Sequence, residues 1–459
     1  MKGELNMKTK NARDSRETVD RSKSFRIFAK DLKRSEDSRA TGLNNNVLVI
    51  GISGCCKTGS YVYPNMFSTC GSIVVADTKG MLYKNYAKDL EEQGYAVQLV
   101  DFVNPEGSMG YNPLDSIERI RKKTKVLQYA GVYEDGEELV PPEYEEVEYE
   151  TYRQRDVMSI AKLVVPEADD KEPFWTDSAR VVIASLIAYV LEVLPPEEQN
   201  FDSVSKLFRR MCSDIEHTEH GCSPEVSFFK SLEYENPESF AVKKYQMYAI
   251  NFRADKCWSS IAQFVANALN VFDYEENAHM LCHSEVDLAD LGRRKTALFV
   301  NVSDTDRAMD SIVNIFYTQL FQVLCKEAND RPDGRLQVPV HIMLDDFAAN
   351  VYIPDFDKII SVIRSRDIST SIILQSLSQL EGMYNKGQAS TIINNCDTML
   401  YMGGQDVDTA KFFADKAGRL PERILELDLD HEWVFTRGQK ACLAEKIKPY
   451  SASPSDFQA

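Results

Sequence analysis

The residues best equipped for chemistry form one run, Gly51-Ile52-Ser53-Gly54-Cys55-Cys56-Lys57-Thr58, set between an apolar stretch from Val47 to Ile50 and a segment of helical composition. A glycine-rich turn between a strand and a helix lets backbone N–H groups wrap phosphate oxygens. The lysine then reaches the outer phosphates and the hydroxyl ligates magnesium. Gly51, Gly54, Cys55, Cys56, Lys57 and Thr58 are therefore assigned to ATP, with Thr58 also assigned to Mg2+. Cys56 stands where the pattern has its second glycine, and its Cβ either crowds the phosphates or is accommodated as a small side chain. The competing reading is a chance glycine-rich turn, against which the strand-loop-helix context argues.

A second run, His341-Ile342-Met343-Leu344-Asp345-Asp346, reads as a hydrophobic strand ending in two carboxylates. An acid at such a tip can hold magnesium through water, and an adjacent acid can polarise the attacking water. Asp345 takes the first role and Asp346 the second; acids capping a helix are the alternative. Gln375 ends another apolar run, Ser371 to Leu374, where an amide could sense the γ-phosphate or simply finish a strand. Arg364 and Arg366 close a helix that begins near Pro354, and solvated helix-terminal charges explain them equally well on spacing alone.

These residues need a scaffold, and the apolar runs supply one. Val47 to Gly51, Ser72 to Asp77, Ala96 to Phe102, Thr296 to Val302, Val340 to Asp345, Ser371 to Gln375 and Thr398 to Met402 are β-rich and do not alternate. Such runs separated by helical stretches imply an α/β fold whose mostly parallel sheet is covered on both faces. Residues 152–290 have helical spacing almost throughout, as in Ala179 to Leu194 and Ile261 to Phe272, which predicts an all-α insertion. The expected layout is a polar, flexible or peripheral arm over 1–44 and a discontinuous nucleotide-binding domain over 45–133 and 291–445. An acidic linker over 134–151, the helical domain over 152–290 and a tail over 446–459 complete it.

Composition bounds the function without choosing it. The 459 residues, 43% hydrophobic and 27% charged, describe a globular chain with a sizeable core. A net charge of -18 does not help a nucleic-acid reading, although much of the excess lies between Glu134 and Glu150. Ten cysteines without metal-ligand spacing suggest a reducing cytoplasm. No run approaches the roughly 18–20 apolar residues of a membrane span, and Val181 to Leu191 reads as a buried helix.

With these motifs in place the chain resembles the conjugative type IV coupling proteins, the TraG/TraD type within the FtsK-like hexameric motor superfamily. The likeness runs from Asn46 to Gly404 through an ordered series: Asp77-Thr78-Lys79-Gly80, Tyr111-Asn112-Pro113-Leu114, Pro173-Phe174-Trp175, Lys295 to Val300 with Asp304-Thr305-Asp306, Ile353 to Asp357, Arg364-Ser365-Arg366, Leu374 to Leu377 and Asn395-Cys396-Asp397. It implies a RecA-like P-loop NTPase core and a homo-hexameric ring with ATP between subunits. Arg364 would be a finger for the neighbouring subunit and Gln375 the γ-phosphate sensor. The implied partners are single-stranded DNA, the relaxase bound to it and a type IV secretion channel at the inner membrane.

Two substitutions depart from the family pattern: Cys56 for glycine, and Asp346 for the usual glutamate. No counterpart of the family's membrane-spanning pair is read in the sequence, so a cytoplasmic location is expected, with a peripheral seat at the inner membrane as the alternative. The leading expectation is an ATP-driven DNA translocase. Its rivals are a nucleotide-binding adaptor that gathers transfer proteins without pumping and an unrelated P-loop enzyme such as a small-molecule kinase. Lys243, Lys244, Arg253 and Lys256 are candidate DNA contacts, though a solvated helix face explains them more simply.

Overall fold

The computed structural model describes residues 23–129, 132–134, 137–140, 143–166, 173–217, 224–253, 255–350, 352–450 and 453–457. The chain opens with a hairpin, β1 (Phe25–Ala29) and β2 (Leu32–Ser35), and a short helix α1 (Ser38–Thr41). It then enters β3 (Val47–Ile50), α2 (Tyr63–Phe67), β4 (Ser72–Ala76), α3 (Met81–Glu92) and β5 (Ala96–Asp101). A two-stranded ribbon follows, from β6 (Arg119–Tyr129) and β9 (Glu143–Tyr152), with β7 (Val132–Glu134) and β8 (Glu137–Val140) paired between them.

From β9 to the next strand every described element is helical: α4 (Gln154–Val164), α5 (Phe174–Val193), α6 (Phe201–Glu216), α7 (Ser227–Glu235), α8 (Phe240–Ala249), α9 (Asp255–Leu269) and α10 (Ala278–Cys282). The chain returns through β10 (Thr296–Asn301), α11 (Asp310–Asn329), β11 (Val340–Leu344), β12 (Ile368–Leu374) and β13 (Thr398–Tyr401). It finishes on β14 (His431–Thr436) and β15 (Cys442–Glu445).

Nine strands form one sheet in the order β15-β14-β13-β3-β12-β11-β4-β10-β5, parallel from β13 to β5, with β14 and β15 antiparallel at one edge. The lack of alternation has its expected cause. In β3, Leu48 and Ile50 enter one hydrophobic core while Val47 and Val49 enter a second on the other face. Both faces are dry, so every position is apolar. Helix α11 packs in the first core, while α2, α3 and Phe28 of the hairpin build the second.

Two expectations need correction. Residues 23–44 are not a flexible arm: Arg26 is buried and ion-paired with Glu36, Arg34 lies over Phe28, and the Asn44 amide donates to Asp397 at 2.6 Å. Some of the polar residues that suggested flexibility are held by distant partners, Arg34 by the Thr398 hydroxyl and Asn44 by Asp397. Nor is 134–151 simply a linker, because β9 pairs antiparallel with β6, setting Arg121 opposite Glu150 and Lys123 opposite Glu148. The acidic run finds its counter-charge in a basic strand that precedes it, and cross-strand pairs of opposite charge favour the ribbon. Residues 1–22 and the prolines at 141–142 lie outside the described residues.

Helix α5 is long and apolar enough to cross a membrane by length and composition, a length the sequence reading did not give it. It is nevertheless a core helix here, with Val182, Ile183, Leu186, Ile187 and Val190 fully buried. Of the basic residues proposed for DNA, Lys243 pairs with Glu238 and Lys244 lies over the Phe240 ring. The Arg253 side chain lies outside the described residues.

Candidate functional site

Strands β3, β12 and β11 are adjacent and end at the same edge, which brings the separate motifs together. The turn after β3 is fixed to its neighbours on both sides: the Gly51 N–H donates to the Leu374 carbonyl of β12 at 3.0 Å, and the Ile52 N–H to the Gly403 carbonyl at 3.1 Å. Gly51 admits no side chain, since a Cβ there would lie 2.4 Å from Cys55 Sγ.

Gly54 and Cys56 both have positive φ, 85° and 66°, which folds the loop back on itself. Successive backbone amides in such a turn make an anion-binding concavity. The second glycine's place thus keeps a glycine-like backbone although a cysteine fills it. Cys56 is exposed while Cys55 is buried beneath the loop. The extra carbon points outward, at a conformational cost of about 1–2 kcal/mol for a non-glycine residue.

Lys57 is buried, and its Nζ donates to the Gly51 carbonyl at 2.8 Å and lies 4.0 Å from Asp346 Oδ1. The Thr58 hydroxyl donates to Asp345 Oδ2, which ties the first turn after the loop to the tip of β11. That turn, Thr58–Val62, is a π-helical segment leading into α2. Burial, with a smaller push from the neighbouring Asp346, raises the Asp345 carboxyl to about 6 against the pull of its Thr58 bond and of Lys57. Asp346 itself is in the left-handed region, φ 47°, and its N–H donates to Asp345 Oδ1 at 3.1 Å. A short polar residue tolerates that conformation better than most.

Gln375 is exposed at the end of β12, between the two motifs in the sheet, and its N–H donates to Gln379 Oε1 at 2.9 Å. Arg364 is not part of this cluster. It precedes β12 and so lies at the opposite edge of the sheet, the length of a seven-residue strand away, roughly 20 Å. There its guanidinium donates to the Gly42 carbonyl at 2.9 Å, a carbonyl also bound by Arg437 at 3.0 Å. Arg366 is engaged with Asn329 and the Val362 carbonyl.

One neighbour of the site had no assigned role in the sequence. Asp77 ends β4, beside β11, and accepts N–H bonds from Met81 and Tyr83, which seats the start of α3. The run from Asp77 to Gly80 was its only signal.

The residues present suit a magnesium nucleotide. A divalent cation between the Thr58 hydroxyl and Asp345 would answer a buried carboxylate whose ionised form burial disfavours more than the Thr58 bond and the nearby Lys57 charge favour it. Among the described residues no group of three or more His, Cys, Asp or Glu forms a protein-only metal site.

The family model described as "Type IV secretory system Conjugative DNA transfer" matches residues 2–420. The chain belongs to that family, the conjugative type IV coupling proteins. It is 20% identical over 436 residues to Protein VirD4 of Rhizobium radiobacter, covering 88% of this chain and 57% of VirD4. Protein VirD4 of Agrobacterium fabrum is likewise 20% identical, with 58% of its length covered. The chain therefore spans less than three-fifths of these curated relatives.

Among solved structures it is similar to the unbound bacterial conjugative coupling protein TrwBdeltaN70, with a TM-score of 0.61 at 13% identity over 96% of this chain and 92% of that one. The plasmid coupling protein TrwB in complex with ADP and Mg2+ gives 0.60 at 13% identity, over 96% and 93%. VirB4 of Thermoanaerobacter pseudethanolicus gives 0.51 at 10% identity, over 90% and 91%. These likenesses bear on the fold, and the expected mixed α/β architecture, a mostly parallel central sheet with a helical insertion, is the one found.

Proposed function

We propose that the chain is an ATP-driven coupling protein that brings relaxase-bound single-stranded DNA to a type IV secretion channel at the inner membrane and drives its passage. The observation that carries the ATPase part is the Thr58 to Asp345 hydrogen bond, with Lys57 and Asp346 beside it and Gln375 between the two strand ends. The TrwB structures with ADP and Mg2+ and with a non-hydrolysable ATP analogue support the same reading of the turn.

In this reading the amides of Gly54, Cys55, Cys56 and Lys57 cradle the phosphates, and the Lys57 ammonium leaves the Gly51 carbonyl for the outer phosphates. Thr58 and Asp345 would hold Mg2+, which would supply neutralisation of phosphate charge. Asp346 accepts a proton from the attacking water or orients it, and Gln375 reads the γ-phosphate. Arg364 cannot serve its own subunit across the sheet, so it acts on the nucleotide of the next subunit in a homo-hexamer. DNA contact rests on family membership; the net charge of -18 gives it no support.

Magnesium-dependent ATP turnover by the purified chain, with and without single-stranded DNA, tests this. Turnover stimulated by DNA and abolished in Lys57→Ala is expected. Nucleotide binding without turnover in either condition would instead favour an adaptor that gathers transfer proteins without pumping.

A further inference from the structure

The last described residues lie against the phosphate-binding turn. Lys446 is buried just after β15, and its Nζ donates 2.8 Å to the Met402 carbonyl. Met402 is itself bound to the end of β3, through its N–H to the Ile50 carbonyl at 2.7 Å. From this anchor the chain passes the turn: a Cβ added to Gly59 would lie 2.8 Å from both Pro449 Cβ and Tyr450 Cε2. Gly59 has no positive φ and is two residues beyond Lys57, so the tail, not its own backbone, excludes a side chain there.

Tyr450 is held in place from several sides. Its ring is 5.4 Å from that of Tyr63 in α2 and parallel to that of Tyr86 in α3 at 6.5 Å. Phe457 then packs edge-on against Tyr63 at 5.7 Å, so the tail grips the helix that follows the loop at two points. Tyr450 has φ 53°, an unfavourable value for a bulky residue that persists only where its surroundings impose it. Even so, the ring is half exposed. Burial, then Tyr86, then the charges of Asp345 and Asp77 raise its phenol, which places the hydroxyl within electrostatic range of the strand tips that form the site.

We infer that Tyr450 is a positioning residue for the nucleotide: docked on Gly59, it braces the Thr58–Gly59 turn whose hydroxyl and amides receive the magnesium and phosphates. The tail and the nucleotide then both bear on one turn, and each stabilises the other by the same factor. This rests on the proposed ATP site. It adds that the site is completed by residues far beyond every nucleotide motif.

The test uses the full chain and the fluorescent nucleotide mant-ADP with Mg2+. Tyr450→Ala is expected to weaken mant-ADP binding about fivefold and raise the KM for ATP similarly, leaving kcat unchanged, as the loss of one aromatic packing contact would. Tyr450→Phe should restore parental affinity. In the unsubstituted chain, ADP with Mg2+ should slow hydrogen exchange in peptides spanning 446–457, a readout that needs no variant. Parental affinity in Tyr450→Ala, or tail exchange indifferent to nucleotide, overturns the inference while leaving the ATP site intact. An unsubstituted chain that binds no mant-ADP overturns both.

Discussion

The hydroxyl of Thr58 donates to the carboxylate of Asp345, joining two residues 287 positions apart in sequence at one edge of the sheet. Burial gives this pair a pH signature. The Asp345 carboxyl rises from 3.8 to about 6 on folding, so folding of the metal-free chain favours its neutral form relative to the unfolded chain. That contribution to stability is fully present below the unfolded value and is lost as pH rises through about 6, amounting to at most about 3 kcal/mol. Asp345→Asn should therefore melt higher than the parent at pH 8 without magnesium, with a smaller difference at pH 5, and should lose magnesium-dependent nucleotide binding. A melting difference independent of pH would show that Asp345 is not the titrating group.

Asp346 is one methylene shorter than the usual glutamate, and its carboxylate is drawn towards Lys57 at 4.0 Å. Proton abstraction depends on hydrogen-bond reach to the attacking water. Asp346→Glu should raise ATP turnover, whereas Asp345→Ala should stop it. Steady-state rates decide the matter: equal or lower turnover in the glutamate variant means Asp346 does not fill the catalytic acid's place.

Arg364 lies a strand's length from its own phosphate-binding loop, so the proposed finger role requires it to act across a subunit boundary. Such a guanidinium can be worth ~10³–10⁵ in rate when it reaches the transferring group. Arg364→Ala should bind ATP normally yet turn over nothing, and Lys57→Ala should do neither. Mixing the two should restore activity in proportion to interfaces that pair an intact loop with an intact finger. Silence in mixed rings that demonstrably form would remove Arg364 from this role.

Much of the scaffold was legible because burial on both faces leaves a mostly apolar record without alternation, broken by single residues such as Gln98 and His341. The boundaries read for the strands holding Val47, Ser72, Ala96, Thr296 and Val340 differ from the observed ones by a single residue at the C-terminal end. What was missed lacks that record. The β1–β2 hairpin buries Arg26 against Glu36 and ties Arg34 to Thr398, 364 positions away, and β9 looks like a solvated acidic stretch until β6 is set beside it. Strands β14 and β15 lie at the sheet edge, where β15 is mostly exposed and its pattern is weak. The nucleotide motifs were readable as local strings, but their distances were not, and no string marks Tyr450 as a neighbour of Gly59. Arg364 could be named from its motif, but its separation from the other motif residues, at the opposite end of β12, was not readable from the string.

Cys56 provides the most direct measurement of the central claim, that this loop holds a magnesium nucleotide. Its thiol is exposed on the loop itself, and Cys442, exposed on β15, serves as an internal reference. Alkylation rates at the two thiols, followed by peptide mass spectrometry with and without millimolar ATP and Mg2+, report occupancy without requiring hydrolysis. Nucleotide should slow alkylation at Cys56 severalfold and leave Cys442 unchanged, and Lys57→Ala should abolish the protection. Equal reactivity of Cys56 in the presence and absence of nucleotide would contradict the account.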